Sequence, residues 1–201
     1  ILGIYERIKA AEPNGFDHLH GLIEATKRAF MLRDRYVTDP YRVPTPLQEL
    51  LSEERIGAEA AEINPAQALP WPYEPAPGDT IWMGTVDSEG RSVSFIQSIY
   101  WEFGSGVVLP ESGVLWQNRG ISFSLNPDDL RGLAPGRKPF HTLNPALALF
   151  NDGRTMVYGT MGGEGQPQTQ AAVFSRYALH GMPLQQAVTA PRWLLGRTWG
   201  E

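Results

Sequence analysis

Cysteine is absent from the 201 residues, which excludes disulfide bonds, thiolate metal sites and a cysteine nucleophile. Positive charge is also scarce, because 17 Lys and Arg stand against 22 Asp and Glu and give a formal net charge of −5. Nucleic-acid binding needs a basic face, so this balance argues against a nucleic-acid partner. No apolar run approaches the roughly 20 residues that span a bilayer, and we expect no membrane span.

The chain also lacks an initiator Met and a charged-then-apolar leader, since it starts at Ile1. We expect it to be a segment of a longer protein, which leaves a periplasmic, secreted or cytoplasmic location open. His18 and His20 are two apart, so on a helix they face different directions and cannot hold one ion. We predict no metal and no cofactor. His180 is predicted to lie at a helix end, where a cationic side chain is favoured.

What is present indicates a folded globular chain, with 42% hydrophobic and 19% charged residues. Apolar residues at helical spacing predict helices over residues 15–35 and 47–60. Five prolines within residues 65–78 predict an extended, exposed connector, because proline is excluded from helix interiors and central strands.

After the connector the periodicity changes from helix to strand. The order of helices, connector, antiparallel strands and helices indicates an α+β fold rather than parallel βαβ units. Two hairpins and two further helices are predicted, with these bounds: strands 80–87 and 92–100, strands 143–150 and 155–160, and helices 168–180 and 183–190.

The Asp79-Thr80 junction is the first feature that suggests chemistry. If the bond before Thr80 is cut, Thr80 gains a free α-amine with an ordinary pKa of about 8, which suits a general base at neutral pH. A threonine and its own amine form a known nucleophile–base pair. The same residues also fit a loop followed by a strand that begins with a β-branched residue.

The neighbouring segments favour the first interpretation. In chain order they resemble the small subunit of gamma-glutamyltranspeptidases, and the upstream segment with Arg33-Asp34-Arg35 and Asp39-Pro40 resembles the end of that family's large subunit. The matching small-subunit motifs are residues 80–90, 92–98, 103–107, 112–115, 134–139, 159–163 and 190–192.

The resemblance implies the four-layer αββα sandwich of the N-terminal-nucleophile (Ntn) hydrolases, here incomplete. Residues 1–79 would be the C-terminal part of the large subunit, and residues 80–201 the catalytic region of the small subunit. The family's proenzyme cuts itself, here between Asp79 and Thr80. Thr80 would then attack gamma-glutamyl or related acyl amides, and the acyl group would pass to water or an acceptor amine.

Three further residues receive catalytic roles from the resemblance. Gly162 and Gly163 match the paired glycines whose N–H groups form the oxyanion hole, and Ser98 matches a hydroxyl residue that hydrogen-bonds the nucleophile. Without the resemblance, the two glycines are equally typical of a flexible loop. Ser98 is then equally typical of a strand serine that faces solvent. Glu164, next to the glycines, fits either a solvated charge or a pocket contact.

The predicted substrate pocket departs from the family pattern. Ser122 replaces the Asp that holds the substrate's α-ammonium group, and Arg119 stands where Gln or Glu is usual. The positions assigned to substrate binding are Tyr100, Asn118, Arg119, Ser122, His141 and Thr142. An arginine favours a carboxylate, so we hypothesise an acyl group with a free carboxylate and no required amine, such as a glutaryl chain. A structural ion pair for Arg119 is the alternative.

Other functions stay open beside the gamma-glutamyl one. They are a glutaryl- or cephalosporin-acylase-like hydrolase, a proteasome-like peptidase, and an uncleaved, inactive fragment held by contacts with its own copies. The expected partners are a small-molecule amide and the remaining large-subunit segment, with homo-oligomerisation left open.

Overall fold

The computed structural model describes residues 1–71 and 79–195, so residues 72–78 of the predicted connector lie outside the described residues. Helices come first, then two β-hairpins, then helices again, so the predicted α+β class is confirmed. The helices are α1 (Leu2–Arg7), α2 (Phe16–Tyr36), α3 (Leu47–Leu50), α4 (Glu53–Ala61), α5 (Gly165–Phe174) and α6 (Leu184–Thr189). The strands are β1 (Asp79–Val86), β2 (Ser92–Tyr100), β3 (Ala146–Leu149) and β4 (Thr155–Tyr158).

Three helix predictions differ from the structure. Helix α1 was not predicted, and the helix expected over residues 47–60 is broken in two, because Ser52 takes an extended conformation and its Oγ caps α4 by accepting from Arg55 N at 3.1 Å. Helix α5 begins at Gly165 rather than Gln168, since Pro167 lies in the first turn, where no N–H is needed. Its continuation, Ser175–Leu179, is a π-helical turn.

The hydrophobic core joins both predicted subunit segments. It consists of Ile4, Tyr5, Leu22, Ala25, Ala60 and Ala171. His180 lies beside it, with Nε2 at 2.9 Å from the Tyr5 hydroxyl. Burial and the positive charge of Lys9 lower the pKa of His180. His180 follows the helical turn Ser175–Leu179, so its predicted place at a helix end is confirmed, although desolvation penalises its charged form there.

Each hairpin is antiparallel, and β4 packs against the face of β1 and β2 that carries Trp82. Without a side chain, Gly159 at the end of β4 lies directly against the Trp82 indole. A Cβ there would be 2.2 Å from Trp82 Cδ1.

The opposite face of the first hairpin is apolar and exposed. Its large side chains are Ile81, Met83, Val93 and Phe95, between 46% and 57% exposed. A contiguous apolar sheet face of this kind marks a surface that another part of a protein covers. No helix among residues 1–71 and 79–195 is long and apolar enough to cross a bilayer.

Candidate active site

Thr80 and Ser98 lie opposite each other on β1 and β2, at an irregularity of the hairpin. Asp79 pairs with Tyr100 and Ile81 with Gln97, so two residues of β2 face Thr80 alone. Such a bulge redirects side chains and is common next to active sites. Here Thr80 Oγ1 donates to Ser98 Oγ at 3.1 Å. The structure thus brings together the predicted nucleophile and the predicted hydroxyl partner.

Tyr100 ends β2 with a backbone φ of +80°, which is unfavourable for a residue with a large side chain. Tyr100 N donates to Ser98 Oγ at 2.9 Å. Strained backbone of this kind clusters at functional sites. Burial is the main cause that raises the pKa of the Tyr100 hydroxyl, and the charge of Arg119 opposes it.

Asn118 holds the end of β2 in place. Its Oδ1 accepts from Trp101 N at 3.1 Å, and its own N–H donates to Ile99 O at 3.2 Å. The neighbouring 3₁₀ helix runs from Arg119 to Ser122. Within the described residues the Ser122 side chain makes no hydrogen bond, so its predicted place in the pocket stays a prediction.

Arg119 is buried, with 2% of its surface exposed. Its Nη2 donates to Thr142 Oγ1 at 2.8 Å, and its Cζ lies 3.6 Å from the centre of the Tyr100 ring. Burial lowers the pKa of the guanidinium, while Tyr100 and Glu164 act in the opposite direction. The structure therefore groups three predicted pocket residues: Tyr100, Arg119 and Thr142.

A cavity of about 480 Å³ adjoins this group. It is lined by His141, Thr142 and Gly163, together with residues of α2 and α5. Removal of the His141 ring from water and the positive charge of Arg119 both lower the pKa of His141, which favours its neutral form.

Gly162 and Gly163 form the turn before α5. Their φ values of +107° and +50° are accessible chiefly to glycine. Their carbonyls accept from Gly165 N and Gln166 N in the first turn of α5. In the described part of the chain neither glycine N–H donates to a backbone carbonyl, so their predicted role in an oxyanion hole stays a prediction.

The sequence missed two contacts that position these groups. Glu164 forms an ion pair with Arg33 of α2 and is about four fifths buried, so it is not a fully solvated charge. Trp82 lies on Gly159 and donates its indole N–H to Ser94 Oγ at 2.9 Å. The one available signal was that Trp82 shares a strand face with Thr80. No group of three or more potential metal ligands exists among the described residues.

Comparisons of the sequence and the structure with known proteins identify the family of this chain. The chain is 59% identical over its whole length to an oxamate amidohydrolase proenzyme of Klebsiella pneumoniae, and covers 38% of that protein. It is 44% identical over 94% of its length to a glutathione hydrolase-like proenzyme of Bacillus subtilis, and covers 36% of it. The chain thus spans less than two fifths of these relatives.

Among solved structures, the cephalosporin acylase of Bacillus halodurans has a TM-score of 0.86 and 39% identity. The match covers 96% of this chain and 35% of that one. The gamma-glutamyltranspeptidase family pattern matches residues 1–201. The fold is that of these Ntn hydrolases, and the chain belongs to the gamma-glutamyltranspeptidase family.

Proposed function

We propose that this chain is the nucleophile-bearing part of an autoprocessed amidohydrolase that acts on small acyl amides. Residues 1–79 end the large subunit, and residues 80–201 begin the small subunit at Thr80. The observation that carries the proposal is the hydrogen bond from Thr80 Oγ1 to Ser98 Oγ at the strand bulge.

Maturation creates the general base. Thr80 Oγ attacks the Asp79 carbonyl, the C–N bond to Thr80 breaks, and an ester links the two residues. Water then hydrolyses the ester, which leaves a carboxylate on Asp79 and a free α-amine on Thr80. Before that step Thr80 has a hydroxyl but no α-amine, so the uncut chain has no nucleophile–base pair.

Turnover uses the same hydroxyl. The Thr80 amine takes the Oγ proton while Oγ attacks the substrate amide carbon. The N–H groups of Gly162 and Gly163 stabilise the oxyanion, a contribution of about 3 kcal/mol per donor in comparable sites. The leaving amine of the substrate takes the proton that the Thr80 amine had accepted and departs. Water then hydrolyses the acyl ester on Thr80, or an acceptor amine takes the acyl group in a transfer reaction.

The relatives suggest which amides are candidates. Their names include oxamate amidohydrolase, glutathione hydrolase-like protein and cephalosporin acylase. Ser122 offers no carboxylate for an α-ammonium group, which favours acyl chains without an amine. A gamma-glutamyl substrate is the second candidate, supported by the family match.

The remaining large-subunit segment is the proposed partner of the exposed apolar face of the first hairpin. That face includes Ile81, Met83 and Phe95, each close to half exposed. Covering apolar area stabilises an assembly by about 25 cal/mol per Å², so a second layer on this face is consistent with the sandwich of the family.

The test uses the protein expressed from the complete reading frame that contains this sequence. Denaturing mass spectrometry should show two chains that separate before Thr80. The purified protein should release ammonium from oxamate and should hydrolyse glutaryl-p-nitroanilide faster than gamma-glutamyl-p-nitroanilide. A preference for the gamma-glutamyl compound would favour the second candidate.

Thr80→Ala should give one uncut chain without activity, whereas Thr189→Ala, an exposed threonine at the end of α6, should behave as wild type. A wild-type protein that stays uncut and inactive would overturn the proposal in favour of an inactive structural assembly. Native mass measured on the same samples reports whether copies associate.

A further inference from the structure

Among the described residues Arg119 is a buried cation without a countercharge of its own. It is one of the largest fully buried side chains. Its Nη2 donates to the neutral hydroxyl of Thr142, the neutral hydroxyl of Tyr100 is a further hydrogen-bond partner, and its Nε has no partner in the described structure. Within the part of the chain that the structure describes, Arg119 forms no ion pair. The structural ion pair considered from the sequence is therefore not present among these residues.

A lone guanidinium in this position is costly. Burial of a charge is normally compensated by an opposite charge and a full set of hydrogen bonds. The Tyr100 ring, 3.6 Å away, attracts the cation but carries no net charge. Glu164 lies close enough to favour the charged form of Arg119, yet it is paired with Arg33. The site therefore retains one uncompensated positive charge.

This charge adjoins the catalytic groups. Tyr100, whose ring covers the guanidinium, donates its N–H to Ser98 Oγ, and Ser98 accepts from Thr80. On the other side, Thr142 lines the cavity of about 480 Å³ that also reaches Gly163. Arg119 is thus connected through Tyr100 to the nucleophile pair and through Thr142 to the cavity beside the proposed oxyanion hole.

We infer that Arg119, held by Tyr100 and Thr142, binds a carboxylate within the acyl part of the substrate. This inference rests on the proposed function and narrows it to monoamides of short dicarboxylic acids, in which the acyl chain carries a carboxylate and needs no ammonium group. Oxamate is the shortest member of this class.

The hydrogen bonds are available for such a ligand. Arginine has five N–H donors, and one donation to Thr142 leaves the Nε hydrogen and others for two parallel bonds to a carboxylate. The Thr142 hydroxyl accepts from Arg119 and can donate its own proton to the same carboxylate. A seated carboxylate would supply the missing countercharge.

Matched amides test the inference without altering the protein. Each pair consists of a monoamide and the corresponding diamide, so that a carboxylate is replaced by a carboxamide of nearly equal size. The pairs are oxamate and oxamide, succinamate and succinamide, and glutaramate and glutaramide. For the best pair, we expect kcat/KM for the monoamide to exceed that for the diamide by about 10- to 100-fold, the range expected of charge-assisted hydrogen bonds. Equal initial rates of ammonium release would overturn the inference.

Variants then assign the preference to Arg119. Arg119→Gln should erase the preference mainly through KM, because the carboxylate is bound in both ground and transition states. Thr142→Val should weaken it, and Thr142→Ser should restore it. Arg154→Gln removes an exposed arginine that pairs with Asp152, so it controls for the loss of one positive charge and should keep the wild-type preference.

A binding measurement separates this inference from the proposed function. In calorimetry with oxalate, wild-type protein should bind and Arg119→Gln should lose binding at least tenfold. Thr80-dependent hydrolysis with no effect of Arg119→Gln on preference or oxalate binding would overturn the inference alone. Absence of Thr80-dependent hydrolysis would overturn the proposed function, and oxalate binding that depends on Arg119 would then still support the anion site.

Discussion

Ser98 accepts two hydrogen bonds at the bulge, one from Thr80 Oγ1 and one from Tyr100 N. The second bond fixes the Ser98 hydroxyl relative to the backbone at the end of β2. A fixed acceptor restricts the rotation of the Thr80 hydroxyl about its side-chain torsion. Orientation of a nucleophile before reaction lowers the barrier that each turnover must cross.

Removal of the Ser98 hydroxyl should therefore slow both self-cleavage and turnover. Ser98→Ala loses the acceptor of Thr80, and the loss of one neutral hydrogen bond corresponds to about a tenfold lower rate. Ser98→Thr, which keeps a hydroxyl, should restore most of the activity. The measurement is kcat and the half-time of cleavage, with Ser92→Ala as the control, because Ser92 Oγ bonds Gly90 O in the turn. Equal rates for Ser98→Ala and wild type would contradict the assigned role.

At the scale of elements, the site depends on how β1 meets the turn before α5. Trp82 lies two residues after Thr80 on the same strand face, and its ring rests on Gly159 at the end of β4. Three residues later the chain reaches Gly162. The contact between indole and glycine therefore sets the spacing between the strand of the nucleophile and the loop of the oxyanion hole.

Gly159→Ala should disturb this spacing. The added Cβ would lie 2.2 Å from Trp82 Cδ1, so the indole or β4 must move, at a cost of about 1–3 kcal/mol of stability. We expect a kcat at least about tenfold lower, because small misplacements of catalytic groups are costly. Gly57→Ala is the matched control, since its Cβ meets Arg7 Nε at an ordinary 3.8 Å within α4. Unchanged kcat and melting temperature in Gly159→Ala would exclude the spacing role.

The two hairpins and α2 could be predicted from the sequence because their signals are local. Alternation, a glycine turn and an amphipathic period fix β1, β2 and α2 to within one or two residues. The break at Ser52 was missed because a capping serine looks the same in sequence as a helical surface serine. The extent of β3 was overestimated, since residues 143–145 lack a partner strand in the described structure.

The site shows the same division. Thr80 with Ser98 could be predicted because both belong to ordered motifs on paired strands. The pairing of Arg33 with Glu164 could not be predicted, because it joins residues 131 positions apart. The lack of an ion partner for Arg119 among the described residues could not be predicted either, because it depends on which groups share the same buried space. Sequence spacing carries no information on such long-range pairs.

At the scale of the whole molecule, a buried polar cluster ties α2 to the end of α5. His18 is fully buried. Its Nδ1 accepts from Asn14 N at 2.9 Å, and its Nε2 lies 3.1 Å from Ser175 Oγ. Because Nδ1 is an acceptor, the ring is neutral with its proton on Nε2, which donates to Ser175. Burial, and then repulsion from His180 and Arg176, lower the pKa of His18 to about 4.

This cluster makes stability depend on pH between about 6.5 and 4. In the unfolded chain His18 binds a proton below its ordinary pKa of about 6.5, whereas in the folded chain it stays neutral down to about 4. Acid therefore favours the unfolded state, by up to about 1.4 kcal/mol per pH unit for one group. Thermal unfolding of the complete protein from pH 7.5 to pH 5 should show a falling melting temperature, and His18→Gln should flatten the slope. Carboxylates with a lowered pKa, such as Asp39, lose their contribution only at lower pH. The pKa values of His141 and His180 are lowered as well, so these residues leave a remaining slope, and the difference between wild type and His18→Gln reports His18. An identical slope in wild type and His18→Gln would show that the buried histidine does not couple protonation to the packing of the two segments.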